Sequence, residues 1–163
     1  MSEFDSNGNG GMIIDSGTTY THFSGTLYKE FLSILEAIIP YPRSRLYEKR
    51  TSFDLCYLVF SPQSYQGLPT LTYYFQNNVT LILPTENHFY AFPAAAGIGN
   101  ANSKVHCLML QTFDDVDAYG FAAILGNFQQ QNIQVVYDME KSRIGFEPKN
   151  CSSDRPAYNG IYN

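Results

Sequence analysis

The carboxylate of Asp15 is the group in this sequence best placed to do chemistry. It ends an apolar run and opens a turn of small hydroxyl residues, in the heptapeptide Ile-Ile-Asp-Ser-Gly-Thr-Thr that starts at Ile13. Gly17 lets the backbone turn tightly where a Cβ would clash, and the neighbouring hydroxyls can hydrogen-bond an ionised carboxylate. Ordinary turns use the same residue types, so this motif alone favours a structural turn over a catalytic site.

A second group of motifs, near the end of the chain, reverses that balance. Residues 122–127 read Ala-Ala-Ile-Leu-Gly-Asn, and residues 132–146 contain a Tyr-Asp pair before a polar turn and an Ile-Gly-Phe after it. With the Asp15 loop, these features resemble the C-terminal lobe of the pepsin-like aspartic proteases over about residues 11–151. The Thr-Thr pair of the loop and the Phe-Asp-Leu-Cys-Tyr segment at residues 53–57 are most similar to the plant, nepenthesin-type branch.

The resemblance implies an all-β lobe, barrel-like or sandwich-like, with one or two short helices. It also implies an aspartic endopeptidase without metal or organic cofactor, in which a pair of aspartates activates a water molecule. Asp15 would be one member of that pair, and Thr18 would hydrogen-bond its outer oxygen. Ser16, next to Gly17, would link the two catalytic loops across the lobe interface. The substrate subsites near the cleft would be lined by Ile13, Thr19 and Ile124.

The chain contains only one Asp-Ser-Gly or Asp-Thr-Gly motif, whereas the chemistry needs two carboxylates that share a proton. The sequence therefore resembles one lobe of a bilobal enzyme, and we expect the isolated chain to be inactive. Its partners would be the N-terminal lobe of the same protease and a peptide or protein substrate. Two alternatives remain open: a protease-like binding protein, as in plant inhibitors of cell-wall glycosidases, and a retropepsin-like homodimer in which each copy brings one Asp15.

Length and composition agree with a single folded lobe. The chain has 163 residues, of which 44% are hydrophobic and 15% are charged, and this composition argues against disorder. A net charge of −5 leaves no basic footprint for nucleic acid or for an anionic membrane surface. No apolar run in the sequence is long enough to span a membrane.

The three histidines predict neither a metal site nor a hydrolase triad. His22, His88 and His106 are far apart in the sequence, and the chain has no His-x-x-x-His pair and no Gly-x-Ser-x-Gly elbow. We therefore expect each histidine to be structural or at the surface.

The three cysteines lack the close pairing of a zinc site. By resemblance to the plant branch, Cys56 and Cys107 would form a disulfide within the lobe, while Cys151 would be free or bonded to another lobe or chain. Three buried free thiols are the alternative. Asn78 and Asn150 begin Asn-x-Ser/Thr motifs and are candidate glycosylation sites. The parent protein would accordingly be secreted, either extracellular or vacuolar.

Local patterns divide the chain into a flexible lead of residues 1–10, in part a cloning scar, the lobe of residues 11–151 and a tail of residues 152–163. Short apolar or alternating runs separated by Pro, Gly and Asn turns predict strands throughout the lobe. The expected strands are at residues 11–15, 53–59, 70–76, 79–83, 87–92, 105–113, 120–125, 132–138 and 143–147. Their spacing is typical of a sandwich or a barrel-like lobe.

One helix is expected after Ser24, which can act as its N-cap. Its apolar residues recur at the 3.6-residue spacing of a core-facing helix, and Pro40 and Pro42 would end it. These apolar residues are Leu27, Phe31, Ile34, Leu35 and Ile38. The basic segment at residues 43–50 is expected to be a solvated loop.

Overall fold

The computed structural model is mostly β, with eleven short strands and two helices among the residues that it describes, and this confirms the predicted fold class. The described residues are 10–60, 65–94, 103–113 and 120–153. The expected N-terminal lead of residues 1–10 and the expected tail of residues 152–163 lie almost entirely outside the described residues. No helix in the described part is long and apolar enough to cross a membrane. The chain forms two compact units, Met1–Gln129 and Gln130–Asn163.

In its described residues, the first unit contains nine strands and both helices. The strands are β1 Met12–Ile14, β2 Thr21–Ser24, β3 Cys56–Val59, β4 Leu71–Tyr74, β5 Thr80–Leu83, β6 Phe89–Pro93, β7 Lys104–Leu108, β8 Leu110–Phe113 and β9 Ala123–Leu125. The helices are α1 Gly25–Ile38 and α2 Arg45–Thr51.

A four-stranded sheet in the order β1-β9-β2-β8 carries the segment that leads to Asp15. Strand β1 is parallel to β9, while β2 is antiparallel to β9 and parallel to β8. One face of this sheet belongs to the core, where Phe23, Leu110, Ala123 and Leu125 are at most 7% exposed. Strand β2 was not expected from the sequence, because Thr-His-Phe-Ser has only one strongly apolar side chain.

A three-stranded sheet in the order β3-β7-β6 contains the disulfide. Cys56 and Cys107 are opposite each other on β3 and β7 and are covalently bonded. A cross-link between residues 51 positions apart contributes about 4 kcal/mol in the chain-entropy account. The remaining cysteine, Cys151, is free and exposed.

The single strand expected at residues 105–113 is wrong, because β7 and β8 are separate strands in different sheets. The break between them is at Met109, whose backbone N–H donates to the His88 carbonyl at 2.8 Å. The residues on either side of the break, Leu108 and Leu110, are both 1% exposed, so the apolar sequence shows no sign of the point at which the chain leaves one sheet for the other.

Helix α1 begins directly after Ser24 and ends at Ile38, before the two prolines, as expected. Ser24 has the N-cap position, but its hydroxyl makes no capping hydrogen bond. Hydrogen bonding to the helix end therefore does not explain where α1 begins. The change from the extended backbone of β2 marks that point.

The expected core face of α1 is wrong for three of its five residues. Leu27, Ile34 and Ile38 are 39%, 59% and 56% exposed, whereas the helix buries Tyr28 and Leu35. The Tyr28 hydroxyl lies 2.9 Å from the Leu110 carbonyl oxygen and 2.9 Å from Asp54 Oδ2. A tyrosine with hydrogen-bond partners at the end of its ring can be buried, and here it determines which side of the helix faces the core.

The solvated loop expected at residues 43–50 is also wrong. Helix α2 occupies most of this segment, and the Arg43 side chain is only 16% exposed. Its guanidinium donates to Glu48 Oε1 at 2.9 Å, to Glu36 and to the Asp54 carbonyl at 2.7 Å. Glu48 Oε1 also accepts from the Cys56 backbone N–H at 3.0 Å. Arginine has several donors in a planar fork, so one side chain can join two helices and the segment that precedes β3.

The second unit contains an antiparallel hairpin of β10 Ile133–Asp138 and β11 Arg143–Pro148. Both strands were expected from the sequence, within one residue at each end. In the turn, the Asp138 carboxylate accepts from the Lys141 backbone N–H at 3.1 Å and from Arg143 Nε at 2.8 Å.

Candidate active site

Asp15 directly follows β1, at the point where the four-stranded sheet gives way to a loop. Its backbone N–H continues the parallel ladder by donating to the Leu125 carbonyl at 3.1 Å. The ladder itself pairs Ile13 with Ile124 and Ile14 with Leu125. The two motifs that are far apart in the sequence are therefore neighbouring strands, and together they hold the backbone of Asp15.

Both carboxylate oxygens of Asp15 accept a hydrogen bond from its own loop. The Gly17 backbone N–H donates to Oδ1 at 2.8 Å, and the Thr18 hydroxyl donates to Oδ2 at 2.7 Å. Donors of this kind stabilise the ionised form. They hold the pKa of Asp15 below its ordinary value, with the Thr18 hydroxyl making the largest contribution and the Gly17 N–H the next.

At Gly17 the space is tight, while the backbone conformation is one that other residues can adopt. A Cβ at this position would lie 3.2 Å from Asp15 Oδ1, which is closer than an ordinary van der Waals contact. A larger residue would therefore press on the carboxylate that it now helps to orient. Ser16, on the same turn, is exposed, as is Thr19.

The Asp15 loop is attached to the segment that follows β9. The backbone N–H of Asn127 donates to the Thr18 carbonyl at 2.7 Å, and that of Phe128 donates to the Thr19 carbonyl at 2.9 Å. Directly before these two residues, Gly126 lies so close to the loop that a Cβ would be 2.4 Å from the Tyr20 carbonyl carbon and oxygen. Only glycine permits this approach, and this explains the glycine directly after β9.

A network of buried polar groups is hydrogen-bonded to the end of the Asp15 loop. Thr21 is fully buried, and its hydroxyl accepts from the Gly126 backbone N–H at 3.0 Å. The Gln129 side chain is also fully buried: its Oε1 accepts from the Thr21 N–H at 2.8 Å, and its Nε2 donates to the Met109 carbonyl at 2.9 Å. Satisfied buried polar groups of this kind hold a site in one geometry. Sequence reasoning missed Gln129, because it is one of three consecutive glutamines with no distinguishing pattern.

The exposed face of the four-stranded sheet presents a row of four side chains that begins at Ile13, two residues before Asp15. Ile13 pairs with Ile124, Ile124 pairs with His22, and His22 pairs with Gln111 across successive strands. Ile13 is 41% exposed and the other three are partly exposed. His22 donates from Nδ1 to the Tyr20 carbonyl at 2.8 Å. The structure therefore brings Ile13 and Ile124 together, keeps Thr19 on the loop, and adds two polar residues that the sequence did not indicate as site residues.

The bond between Thr18 and Asp15 makes a direct prediction for the variant Thr18→Val, which keeps the shape of the side chain but loses the hydroxyl. The pKa of Asp15 is expected to rise towards its ordinary value, since the largest stabilisation of the ionised form is removed. Carboxyl-carbon NMR titration of Asp15 measures this. Thr19→Val is the matched control, and an equal Asp15 pKa in both variants would contradict the assignment.

The paired strands and the glycine-dependent loop around Asp15 define a C-terminal lobe of the pepsin-like aspartic protease class, and similarities to known proteins agree. The chain matches the family model described as "Xylanase inhibitor C-terminal" over residues 1–148. A probable aspartyl protease of Arabidopsis thaliana is 32% identical over 158 residues, which are 94% of this chain and 31% of that protein. Aspartic proteinase nepenthesin-1 of Nepenthes gracilis is 34% identical over 151 residues, which are 90% of this chain and 30% of that protein.

Solved structures give the same fold. Conglutin gamma from lupine seeds, a basic 7S globulin, superimposes with a TM-score of 0.64 at 24% identity, over 88% of this chain and 33% of that one. The aspartic proteinase from Irpex lacteus superimposes with a TM-score of 0.56 at 19% identity, over 87% of this chain and 38% of that one. The chain belongs to the xylanase inhibitor C-terminal family. It spans about a third of the length of the relatives that it matches.

Proposed function

We propose that the chain is the C-terminal half of an aspartic endopeptidase and that Asp15 is one of its two catalytic aspartates. In this reaction one carboxylate takes a proton from the attacking water, while its protonated partner polarises the scissile carbonyl. The second aspartate comes from the N-terminal lobe. The observation that carries the proposal is that both oxygens of Asp15 accept hydrogen bonds from its own loop, which hold the carboxylate in one orientation at the end of β1.

The exposed row beside Asp15 supports a peptide substrate. Ile13 and Ile124 form an apolar surface on which a substrate side chain can be buried, and His22 and Gln111 offer polar groups farther across the sheet. Thr19 is exposed on the loop and forms a further part of the subsites. Ser16, also exposed, has its hydroxyl available to the corresponding loop of the N-terminal lobe.

A protease-like binding protein is the second candidate. It is favoured by the description of the matching family, which names a xylanase inhibitor, and by the fold shared with a seed globulin. The intact Asp-Ser-Gly-Thr loop and the relatives named as aspartic proteases favour the enzyme. The two candidates differ in the N-terminal lobe, where an enzyme needs the second aspartate.

The parent protein is proposed to be secreted, either extracellular or vacuolar. Disulfides such as Cys56–Cys107 persist in oxidising compartments and are rare in the cytosol. The two Asn-x-Ser/Thr motifs also fit the secretory route.

The test is a peptidase assay of the full-length parent beside the isolated chain, with a mixture of quenched fluorescent peptides from acid to neutral pH. The parent is expected to cleave under acidic conditions and the isolated chain to show no cleavage, because Asp15 alone has no protonated partner. An inactive parent that contains both aspartates would establish the binding-protein candidate. Cleavage by the isolated chain would instead indicate the homodimer.

A further inference from the structure

The two glycosylation motifs lie in different surroundings, and the motif of Asn78 adjoins an uncovered apolar surface. Asn78 is in the turn that joins β4 to β5, where Asn77 and Asn78 both have left-handed backbone conformations with φ of 58° and 59°. The turn is closed by a hydrogen bond of 2.8 Å from the Phe75 N–H to the Val79 carbonyl. Asparagine tolerates this conformation better than most residues, and Asn78 is exposed there.

The β4–β5 hairpin has one buried face and one open face. Tyr73 and Leu81 pair across the strands and are 5% and 4% exposed, so they belong to the core. On the opposite face, Tyr74 pairs with Thr80 and is 69% exposed, and Ile82, two residues along, is 63% exposed. Thr80, whose hydroxyl completes the Asn78 motif, is therefore on the same face as the two exposed apolar side chains.

We propose that Asn78 carries an N-linked oligosaccharide and that this glycan covers the open face formed by Tyr74 and Ile82. A glycan is bulky and solubilising, and the C–H faces of its sugars can pack on the negative face of an aromatic ring. The hairpin thus presents an attachment point and an apolar surface side by side. The inference depends on passage through the secretory pathway and is independent of any catalysis by Asp15.

The modification is a group transfer from a lipid-diphosphate-linked oligosaccharide, catalysed by the host oligosaccharyltransferase. A bond forms between the Asn78 amide nitrogen and the anomeric carbon of the first sugar. The bond between that carbon and the lipid diphosphate breaks, the diphosphate leaves with its electron pair, and one amide proton is lost.

Asn150 provides a contrast within the same chain. Its Oδ1 accepts from the Ser152 hydroxyl at 2.6 Å and from the Ser152 N–H at 3.2 Å, so both ends of this motif are engaged with each other. The middle residue is Cys151, which can form a disulfide in the same compartment. We therefore expect Asn150 to be unmodified, and it serves as the control.

The first experiment tests occupancy, with the full chain secreted from yeast or insect cells behind a heterologous signal peptide. Treatment with peptide N-glycosidase is expected to lower the mass by one glycan. Asn78→Gln and Thr80→Val should each lose that shift, whereas Thr80→Ser and Asn150→Gln should keep it. A secreted chain with no glycan, or with its glycan at Asn150 alone, overturns the proposal.

The second experiment tests what the glycan covers. Removal of the glycan from the folded chain is expected to increase the fluorescence of a hydrophobic dye. The increase should be lost in the double variant Tyr74→Ser, Ile82→Ser, in which there is no apolar face to uncover. An equal increase in that variant, or none in the original chain, would show that the glycan does not lie on this surface and would overturn that part of the proposal.

Discussion

Asp15→Asn is expected to lower kcat of the full-length parent by about 10⁴-fold, the upper end of what positioned acid–base groups contribute. Asparagine has the shape of aspartate and can still accept from the Gly17 N–H or the Thr18 hydroxyl, so the loop should keep its geometry. It cannot take a proton from water. The loss should therefore appear in kcat, with KM nearly unchanged, because the apolar surface of Ile13 and Ile124 is not altered.

The measurement is steady-state cleavage of one peptide by the parent and by its variants. Asp138→Asn is the matched control: it makes the same chemical change in the hairpin turn of the second unit, and full activity is expected. Retention of activity in Asp15→Asn would place the chemistry elsewhere in the parent. A loss that is entirely in KM would mean that Asp15 binds substrate and does not activate water.

The second large effect is expected in acid, where His106 should destabilise the lobe. This histidine is on β7, the central strand of its sheet, and is 0% exposed. It is flanked by Tyr57 on β3 and Ala91 on β6, and the Tyr65 ring packs on it in a T-shaped arrangement at a centroid distance of 5.1 Å. Among the described residues, neither of its ring nitrogens has a hydrogen-bond partner. Burial, followed by the Lys104 cation, lowers its pKa to about 4.

The direction of the effect follows from proton binding in the two states. In the unfolded chain His106 has an ordinary pKa of about 6.5, so below that pH the unfolded state binds a proton that the folded state does not. The free energy of unfolding is therefore complete above pH ~6.5 and falls as the pH drops towards about 4. A shift of this size corresponds to a loss on the order of 3 kcal/mol.

His106→Leu is expected to remove this loss, because leucine has a similar volume and does not titrate. Urea unfolding of the two proteins at several pH values provides the test. Above pH ~7, where His106 is neutral in both states, the two stabilities are compared to correct for any change in packing. In more acid solution the variant should become the more stable protein. Parallel pH profiles would contradict the prediction.

Several features of the lobe could be predicted from local sequence alone. The turn around Asp15, the end of α1 before Pro40 and the hairpin of β10 and β11 all depend on residues within a few positions of one another. Glycine, proline and alternating apolar residues act on the backbone at short range, so they mark these elements wherever the chain folds. Resemblance to a known family then supplied the expected pairing of Cys56 with Cys107.

Other features depended on neighbours that are distant in the chain. Arg43 was expected in solvent, but Glu36 and Glu48 lie where they satisfy its charge, and so it is largely buried. The apolar residues of α1 were assigned to the core by their spacing, but the partners of the Tyr28 hydroxyl turned a different side inward. Spacing identifies an apolar face, and only the surrounding structure determines whether anything covers it.

The features of the candidate active site can be separated in the same way, into those that the sequence indicates and those that only the tertiary structure shows. The sequence by itself determined that Asp15 ends an apolar strand inside a turn rich in hydrogen-bond donors, because those residues are consecutive. Only the tertiary structure decided that Gly126 must be glycine, that Gln129 supports the loop and that His22 continues the row begun by Ile13 and Ile124. Each of these depends on contacts between segments about 100 residues apart, which come together only when β1, β2 and β9 pair in one sheet.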